Sequence, residues 1–454
     1  MCQEVEVMFS KGVFVLIDES EMPSEAHILS TILTRKDLSK DGELVYTCEE
    51  FQDSPARLER CTEWAKLFTV YINLELSEVD SFLKSQVFCS TETEPCLYAY
   101  YKDGVFSLIP LHVDDAVLAT NSGSHKTSLF AAFDEKYGFK DGGLIQEFLD
   151  IQVTQNDNGI WIHQEKYCKE VLERYGFGEA HGSATPMETN AKFKSGDESE
   201  DEETPSFDYR AAIGSLMYLA TSTRPDIAFS VSYLSRFVSR PTKKHCGALK
   251  RILRYLISTS KAGIMYSASD EITDKIVISG HCDADWGNDP DSRKSITGYV
   301  LTIAGGAVSW AARRQSITAM STAEAEYVAT CEATMEGRGI ANMLDEALKM
   351  IEVNTKLTMG VDNNSAIALA KAPTYNSKTR HIELRWHYVR EQIKKDHLQI
   401  YKVDGTNNPA DMFTKPLAKR NLVRYCQLIG MTSEPAAKCS GASVGGGVSR
   451  TSSD

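Results

Sequence analysis

Residues 276–313, IVISGHCDADWGNDPDSRKSITGYVLTIAGGAVSWAAR, decide how the second half of the chain folds. The stretch breaks into three runs, 276–287, 295–305 and 306–313, set apart by Gly, Asn, Asp and Pro. Each is short and rich in Ile, Val, Tyr or Trp, which reads as a strand bounded by turn formers. Three such strands in succession can form a meander. Downstream, the sequence predicts a long helix at about 321–349, a strand at 356–362 and a helix at 364–372. A helix over 381–396, a strand at 398–403 and a last helical part from about Pro409 follow. The order βββαβααβα describes an α/β domain on a mixed sheet, because the later strands need crossovers.

Working towards the N-terminus, a domain boundary is expected near 265–275, and residues 208–257 are strongly helical. Their apolar residues recur at helical spacing: Leu216, Leu219 and Ala220, then Ile227, Val231, Leu234 and Val238, then Leu249, Ile252, Leu253 and Leu256. Residues 195–206, SGDESEDEETPS, read as a solvated acidic loop. Region 123–180 predicts helix, strand, strand (159–164) and helix (166–176). Residues 96–120 predict a hairpin turning at Lys102-Asp103-Gly104. The spacing of Leu58, Cys61, Trp64, Ala65 and Phe68 predicts an amphipathic helix within 54–86. A small β-rich piece with a turn at Lys40-Asp41-Gly42 comes first, and a Gly/Ser-rich tail, expected to be disordered, comes last. The fold class is α/β with α+β parts. The division expected is 1–122, 123–264 with the acidic loop, 265–432, and a tail at 433–454.

At roughly 150 residues per domain, 454 residues suggest two to four domains, and 42 % hydrophobic residues supply their cores. No apolar run approaches the roughly 18 residues of a membrane span. The first residues lack a basic start followed by an apolar stretch, so secretion is not expected. Eleven scattered cysteines without a C-x-x-C pair argue against a zinc ribbon or a disulfide framework. They fit free thiols in a reducing compartment, cytoplasmic or nuclear. The net charge of −14 disfavours tight non-specific binding of nucleic acid, but the acidic loop accounts for six of those charges. Local basic surface remains, such as Lys243, Lys244, Lys250, Arg251 and Arg254.

Two constellations could carry chemistry. Asp114-Asp115, in LHVDDAVLA, stands between apolar strand residues. Burying such a pair is costly unless it lies at a turn or binds cations. An exposed Asp-Asp turn is the plainer reading of the doublet alone. The second set is Asp283 towards a strand end, Glu326 near a helix start, Asp362 at a strand end and Asp411 in NNPADMFTKPL. Carboxylates so placed can converge at one sheet edge and bridge two Mg²⁺ ions roughly 4 Å apart. Spacing alone does not single these four out of 63 acids. Asp285 competes with Asp283, and Glu324 with Glu326.

The string HVDDAVLAT resembles the Y-V-D-D motif of copia-type reverse transcriptases. FLDIQVTQNDNGIWIHQEKYCKEVLERYGF (148–177), ATPM (184–187) and YRAAIGSLMYLATSTRPDIAFSVSYLSRFVSRPTKKHCGALKRILRYL (209–256) resemble that family's connecting region. Within it, Arg224-Pro225-Asp226 reads as a turn and helix start. DADW, STAEAEYVA, VDNNSAIALA, SKTRHIELRWHYVRE and ADMFTKPL resemble, in order, the ribonuclease H domain of copia-type Pol polyproteins.

The resemblance implies an incomplete reverse-transcriptase palm and connection, followed by a ribonuclease H-like mixed-sheet domain cutting RNA in RNA–DNA hybrids with Mg²⁺ or Mn²⁺. Asp283 and Asp411 would hold one metal, and Asp283, Glu326 and Asp362 the other. Asp114 and Asp115 would be what is left of the polymerase site and its metal ligands. The family's upstream D-V-K-T-A-F motif, which supplies a third polymerase aspartate, is missing, and His112 replaces the usual tyrosine. Asp80 and Asp53 lie on no convincing buried strand, so the polymerase is expected to be inactive. The loop VDGTNNPAD lacks the histidine many ribonucleases H carry before the last acid. His381 and His387 are read as substrate or packing residues, and Trp286, Trp310 and Trp386 as core. An active polymerase and a non-enzymatic remnant that binds hybrid are the alternatives. An intact family member would work in a cytoplasmic virus-like particle. No membrane partner is expected, and the oligomeric state is open.

Overall fold

The turn at Asp103-Gly104 sets the register of the first sheet. In the computed structural model, which describes residues 66–71, 76–112, 115–137, 140–195, 207–268, 275–371 and 387–435, this sheet has six strands. They are β1 (Lys66–Tyr71), β2 (Cys89–Ser90), β3 (Leu97–Lys102), β4 (Val105–His112), β5 (Asp115–Thr120) and β6 (Lys140–Leu144), in the order β2-β3-β4-β5-β1-β6. Asp103 (φ 52°) and Gly104 (φ 81°) are both left-handed, as a two-residue hairpin turn requires, and Lys102 pairs with Val105. Helices α1 (Leu76–Ser85) and α2 (Gly123–Tyr137) bring Phe82, Leu83, Phe130 and Phe133 against Ile109, Leu111, Ala116 and Leu118. Those four strand residues alternate along β4 and β5, so one face of the sheet is covered.

The helix expected over 54–86 is corrected by β1. Residues 66–71 form a strand that pairs with β5 on one side and β6 on the other. The segment KLFTVY is rich in aromatic and β-branched residues. Pairing on both edges satisfies its backbone and closes the edge of β5, which outweighs the helical spacing. Among the described residues of that span, the expected helix is found from Leu76. Residues 54–65, the piece over 1–53, the acidic stretch 196–206, His381, Trp386 and the tail from 436 lie outside the described residues.

The middle of the chain continues with β7 (Glu147–Phe148), β8 (Ile151–Asn156), β9 (Gly159–His163) and α3 (Glu165–Arg174). The expected helical run follows as α4 (Tyr209–Ser222), α5 (Pro225–Ser235) and α6 (Lys243–Ser258), leading into β10 (Gly263–Ser267). Pro225 occupies the first turn of α5, where its missing N–H costs nothing. Arg224, fully buried, donates from Nε and Nη2 to the two oxygens of Asp226, at 2.9 and 2.7 Å. Its Nη1 donates to the Thr259 carbonyl, so this fork ties the start of α5 to the end of α6.

The third sheet is built from β11 (Lys275–Asp285), β12 (Ile296–Ile303), β13 (Gly306–Arg314), β14 (Asn354–Val361) and β15 (Leu398–Lys402). Its order is β13-β12-β11-β14-β15; β11 to β13 form an antiparallel meander, while β14 and β15 run parallel to β11. This is the mixed sheet expected from the sequence. Its helices are α7 (Thr322–Ala347), α8 (Asn364–Lys371), α9 (Tyr388–Lys394) and α10 (Lys419–Leu428). A final strand, β16 (Met431–Thr432), pairs with β10 and completes a second sheet ordered β16-β10-β9-β8-β7.

Strand β12 is buried on both faces, and its apolar residues divide between two cores. Tyr299 and Leu301 join Tyr327, Val328 and Cys331 of α7. Ile296 and Val300 join the opposite core, with Leu216, Ile227 and Leu253 from α4 to α6 and with Met412 and Phe413. Trp310 Nε1 donates to the Ala220 carbonyl at 2.7 Å, fastening β13 to the end of α4.

Candidate metal centre

The parallel pairing of β11 and β14 sets Cys282 against Val361, so the next residues, Asp283 and Asp362, emerge side by side. Asp411 comes from a separate segment, the 3-10 turn Pro409–Phe413. Asn408, completely buried, fixes that turn. Its Oδ1 accepts from Ala410 N at 3.1 Å, and its Nδ2 donates to the Cys282 carbonyl at 2.9 Å. The turn lies directly on β12 at Gly298, the residue paired with Asp283. A Cβ there would stand 2.7 Å from Thr414 Cγ2, 2.8 Å from Phe413 Cβ and 2.9 Å from the Ala410 carbonyl oxygen. One oxygen each of Asp283, Asp362 and Asp411 falls within 4.8 Å of the others.

Glu326 approaches from α7. Ser321 caps that helix by accepting from Glu324 N at 3.2 Å, and Glu324 reaches back to accept from Met320 N at 2.7 Å. Glu324 is thereby held at the helix start, whereas Glu326 feels the charges of Asp283, Asp362 and Asp411. Burial, then repulsion from Asp283 and Asp362, pushes the Glu326 carboxyl up to about 10. Its Oε2 is buried with no hydrogen-bond partner among the described residues. Burial, followed by the charge of Asp283, also raises Asp362 and Asp411.

Two polar neighbours temper this repulsion. Thr414 Oγ1 donates to Asp283 Oδ2. Lys415 Nζ stands 2.8 Å from Asp411 Oδ1 and 3.6 Å from Asp283 Oδ2. Burial works against the lysine's charge, but the two aspartates outweigh it and hold the ammonium above its ordinary value. Asp411 nonetheless stays raised, because burial and Asp283 exceed what Lys415 returns. A partnerless buried carboxylate oxygen beside three converging aspartates is a donor set of hard oxygens short of positive charge. It fits a divalent cation of the Mg²⁺ or Mn²⁺ type.

Other expected residues fall elsewhere. Asp285 ends β11 half-buried, accepts from Asn288 Nδ2, and is raised chiefly by burial. Asp115 opens β5, in register with His112 and Tyr71, and Asp114 lies outside the described residues. Asp80 sits on α1, paired with Lys84 at 2.9 Å and accepting from Tyr98 OH at 2.8 Å. His387 shares a 2.9 Å hydrogen bond with Tyr327, and Trp310 is half-buried. Trp286, expected in the core, is 47 % exposed, with its indole N–H on the Ala319 carbonyl. Held by that bond just past the strand end, it lies on no packed face. Sequence reasoning passed over Asn408, Gly298, Thr414 and Lys415. Asn before Pro at a helix start, and Lys four residues after Asp411, were the available signals.

Residues 73–189 match the family described as reverse transcriptase (RNA-dependent DNA polymerase). Over 363 residues the chain is 35 % identical to the retrovirus-related Pol polyprotein from transposon TNT 1-94 of Nicotiana tabacum, covering 78 % of this chain and 27 % of that protein. Over about four fifths of its length the chain is similar to Pol polyproteins of copia-type elements. The Pol polyprotein from transposon RE1 of Arabidopsis thaliana is 29 % identical over 360 residues, 79 % of this chain and 24 % of its own. The chain thus spans about a quarter of the length of these curated relatives. Among solved structures, LC11-RNase H1, isolated from compost, is similar over 31 % of this chain and 94 % of its own, at 16 % identity and a TM-score of 0.24. No described helix is long and apolar enough to cross a membrane.

Proposed function

We propose that this Pol chain joins a polymerase-defective reverse-transcriptase region to a ribonuclease H centre that hydrolyses RNA in RNA–DNA hybrids. The observation that carries the proposal is the convergence of Asp283, Asp362 and Asp411 within 4.8 Å, with the partnerless Glu326 oxygen beside them. Asp283 and Asp411 would hold one Mg²⁺ or Mn²⁺, and Asp283, Glu326 and Asp362 a second. Cations held there would supply a nucleophilic water at neutral pH and charge relief at the leaving 3′-oxygen. The chain's own part is to fix the carboxylates: Asn408 pins the Asp411 turn to β11, and Thr414 orients Asp283. Residues 1–122 and 123–264 belong, in this reading, to the palm and connection, and 265–432 to the nuclease. A reducing compartment, particle or nucleus, suits the cysteines.

The test is cleavage of a labelled hybrid by the full chain in Mg²⁺ and in EDTA. Asp283→Asn and Glu326→Gln are each expected to fall below about one hundredth of wild type, a larger loss than outer-shell partners give. Cutting unchanged in both variants would discard the assignment. The polymerase half of the proposal is supported by β1. The strand beside β5 reads KLFTVY, without a carboxylate, and Asp80 is committed on α1. No primer extension is expected on an RNA template; extension that disappears in Asp114→Asn would overturn this half.

A further inference from the structure

Lys415 sends its ammonium into the acidic cluster from a position four residues beyond Asp411. It stands between Asp283 and Asp411, two carboxylates that a shared cation would also bridge. We propose that Lys415 is a resident counter-cation, seated on Asp283 and Asp411 in the metal-free chain and displaced from them when a divalent cation binds. The inference rests on the metal-centre reading above.

Three features support it. The first is attachment. Lys415 N donates to the Asp411 carbonyl at 3.2 Å, which holds the backbone of the lysine to the turn that carries the acid. Its ammonium is at the end of a flexible four-carbon stem, a compact charge that can leave without moving that turn. The second is access. The lysine side chain is 42 % exposed, while those of Asp283 and Asp411 are 6 % and 14 % exposed, so the ammonium has solvent to retreat into. The third is charge. One ammonium contacts two of the four acids and leaves Glu326 Oε2 without a partner. A divalent ion offers the cluster more charge than the lysine does. Two cations cannot share the same pair of oxygens without strong repulsion at such range. Lys402, also near the cluster, points its ammonium at the Asp362 carbonyl oxygen of the backbone, and no ion pair joins it to these carboxylates among the described residues.

A lysine acting as a fixed strut would behave in the opposite way, since its removal would loosen the acids and weaken metal binding. The experiment is a titration of the full chain with Mn²⁺ alone, followed by electron paramagnetic resonance and calorimetry. Wild type is compared with Lys415→Gln, Lys415→Met, Lys415→Arg and Asp283→Asn. The charge-free variants are expected to bind Mn²⁺ about three- to tenfold more tightly, the scale of one partly exposed charge contact. They should also melt at lower temperature in EDTA, while Lys415→Arg stays close to wild type in both readouts. Equal or weaker Mn²⁺ binding by both charge-free variants, with binding lost in Asp283→Asn, would overturn the role given to Lys415 and leave the metal centre standing. Binding undiminished in Asp283→Asn would overturn the metal centre, and this inference with it.

Discussion

Glu326 has to be neutral or neutralised, and withholding metal makes that visible. Its unfolded carboxyl ionises near the ordinary 4.5, whereas the folded one, buried beside Asp283 and Asp362, does so only near about 10. Between those values the folded chain keeps a proton that the unfolded chain has lost. The contribution of Glu326 to stability is therefore complete below about pH 4.5 and declines as pH rises through the window, by at most about 1.4 kcal/mol per pH unit. In EDTA the urea midpoint should fall between about pH 6 and about pH 9, and Glu326→Gln should flatten the fall. An identical slope in the variant would refute this. The acids themselves were legible because family strings flag them. Asn408 and Lys415 were not, since an asparagine before proline and a D-x-x-x-K spacing occur on many surfaces. Only the fold shows that one clamps β11 and the other enters the cluster.

The contact between β12 and the Asp411 turn allows an equally direct check. Gly298 leaves no room for a Cβ, with backbone and side-chain atoms of the turn at 2.7 to 2.9 Å. Gly298→Ala is expected to lift the turn by several tenths of an ångström. Hybrid cleavage should fall about tenfold or more, since sub-ångström misplacement of catalytic groups is expensive. The urea midpoint should fall as well, reflecting the roughly 1–3 kcal/mol that overpacking costs. Full activity in the variant would show that the turn can shift without moving Asp411. Elements with strong local signals were readable in the sequence: the Asp-Gly hairpin, the β11–β13 meander, and the helices α4 to α6. Strand β1 was not. Its apolar residues fit a helix, and only the neighbouring strands β5 and β6, brought in by later sequence, make it a strand.

The third sheet is not independent of what precedes it. One core runs from Cys168 on α3 to Met431 on β16, taking in Ile296, Val300 and Ala307 of the sheet on the way. Excising residues 265–432 would bare that face and break the pairing of β9 with β10. The fragment is expected to aggregate on size-exclusion chromatography, while residues 140–435, which keep both sides of this core, run as a defined species. A monodisperse, cooperatively melting 265–432 fragment would show that the sheet needs no cover. The boundary near 265–275 follows a change of pattern in the sequence, but pattern does not report which layers share a core.

The pairing of β10 with β16 also sets a timetable for the chain as it leaves the ribosome. β10 emerges and finds β9 already made, but its other edge waits for Met431 and Thr432. At roughly 5–20 residues per second, the synthesis that separates those strands takes roughly ten to thirty seconds. Throughout that interval a nascent chain carries an open strand edge beside a half-covered helical core. Among the described strands, the last to be translated is thus the one that covers this edge.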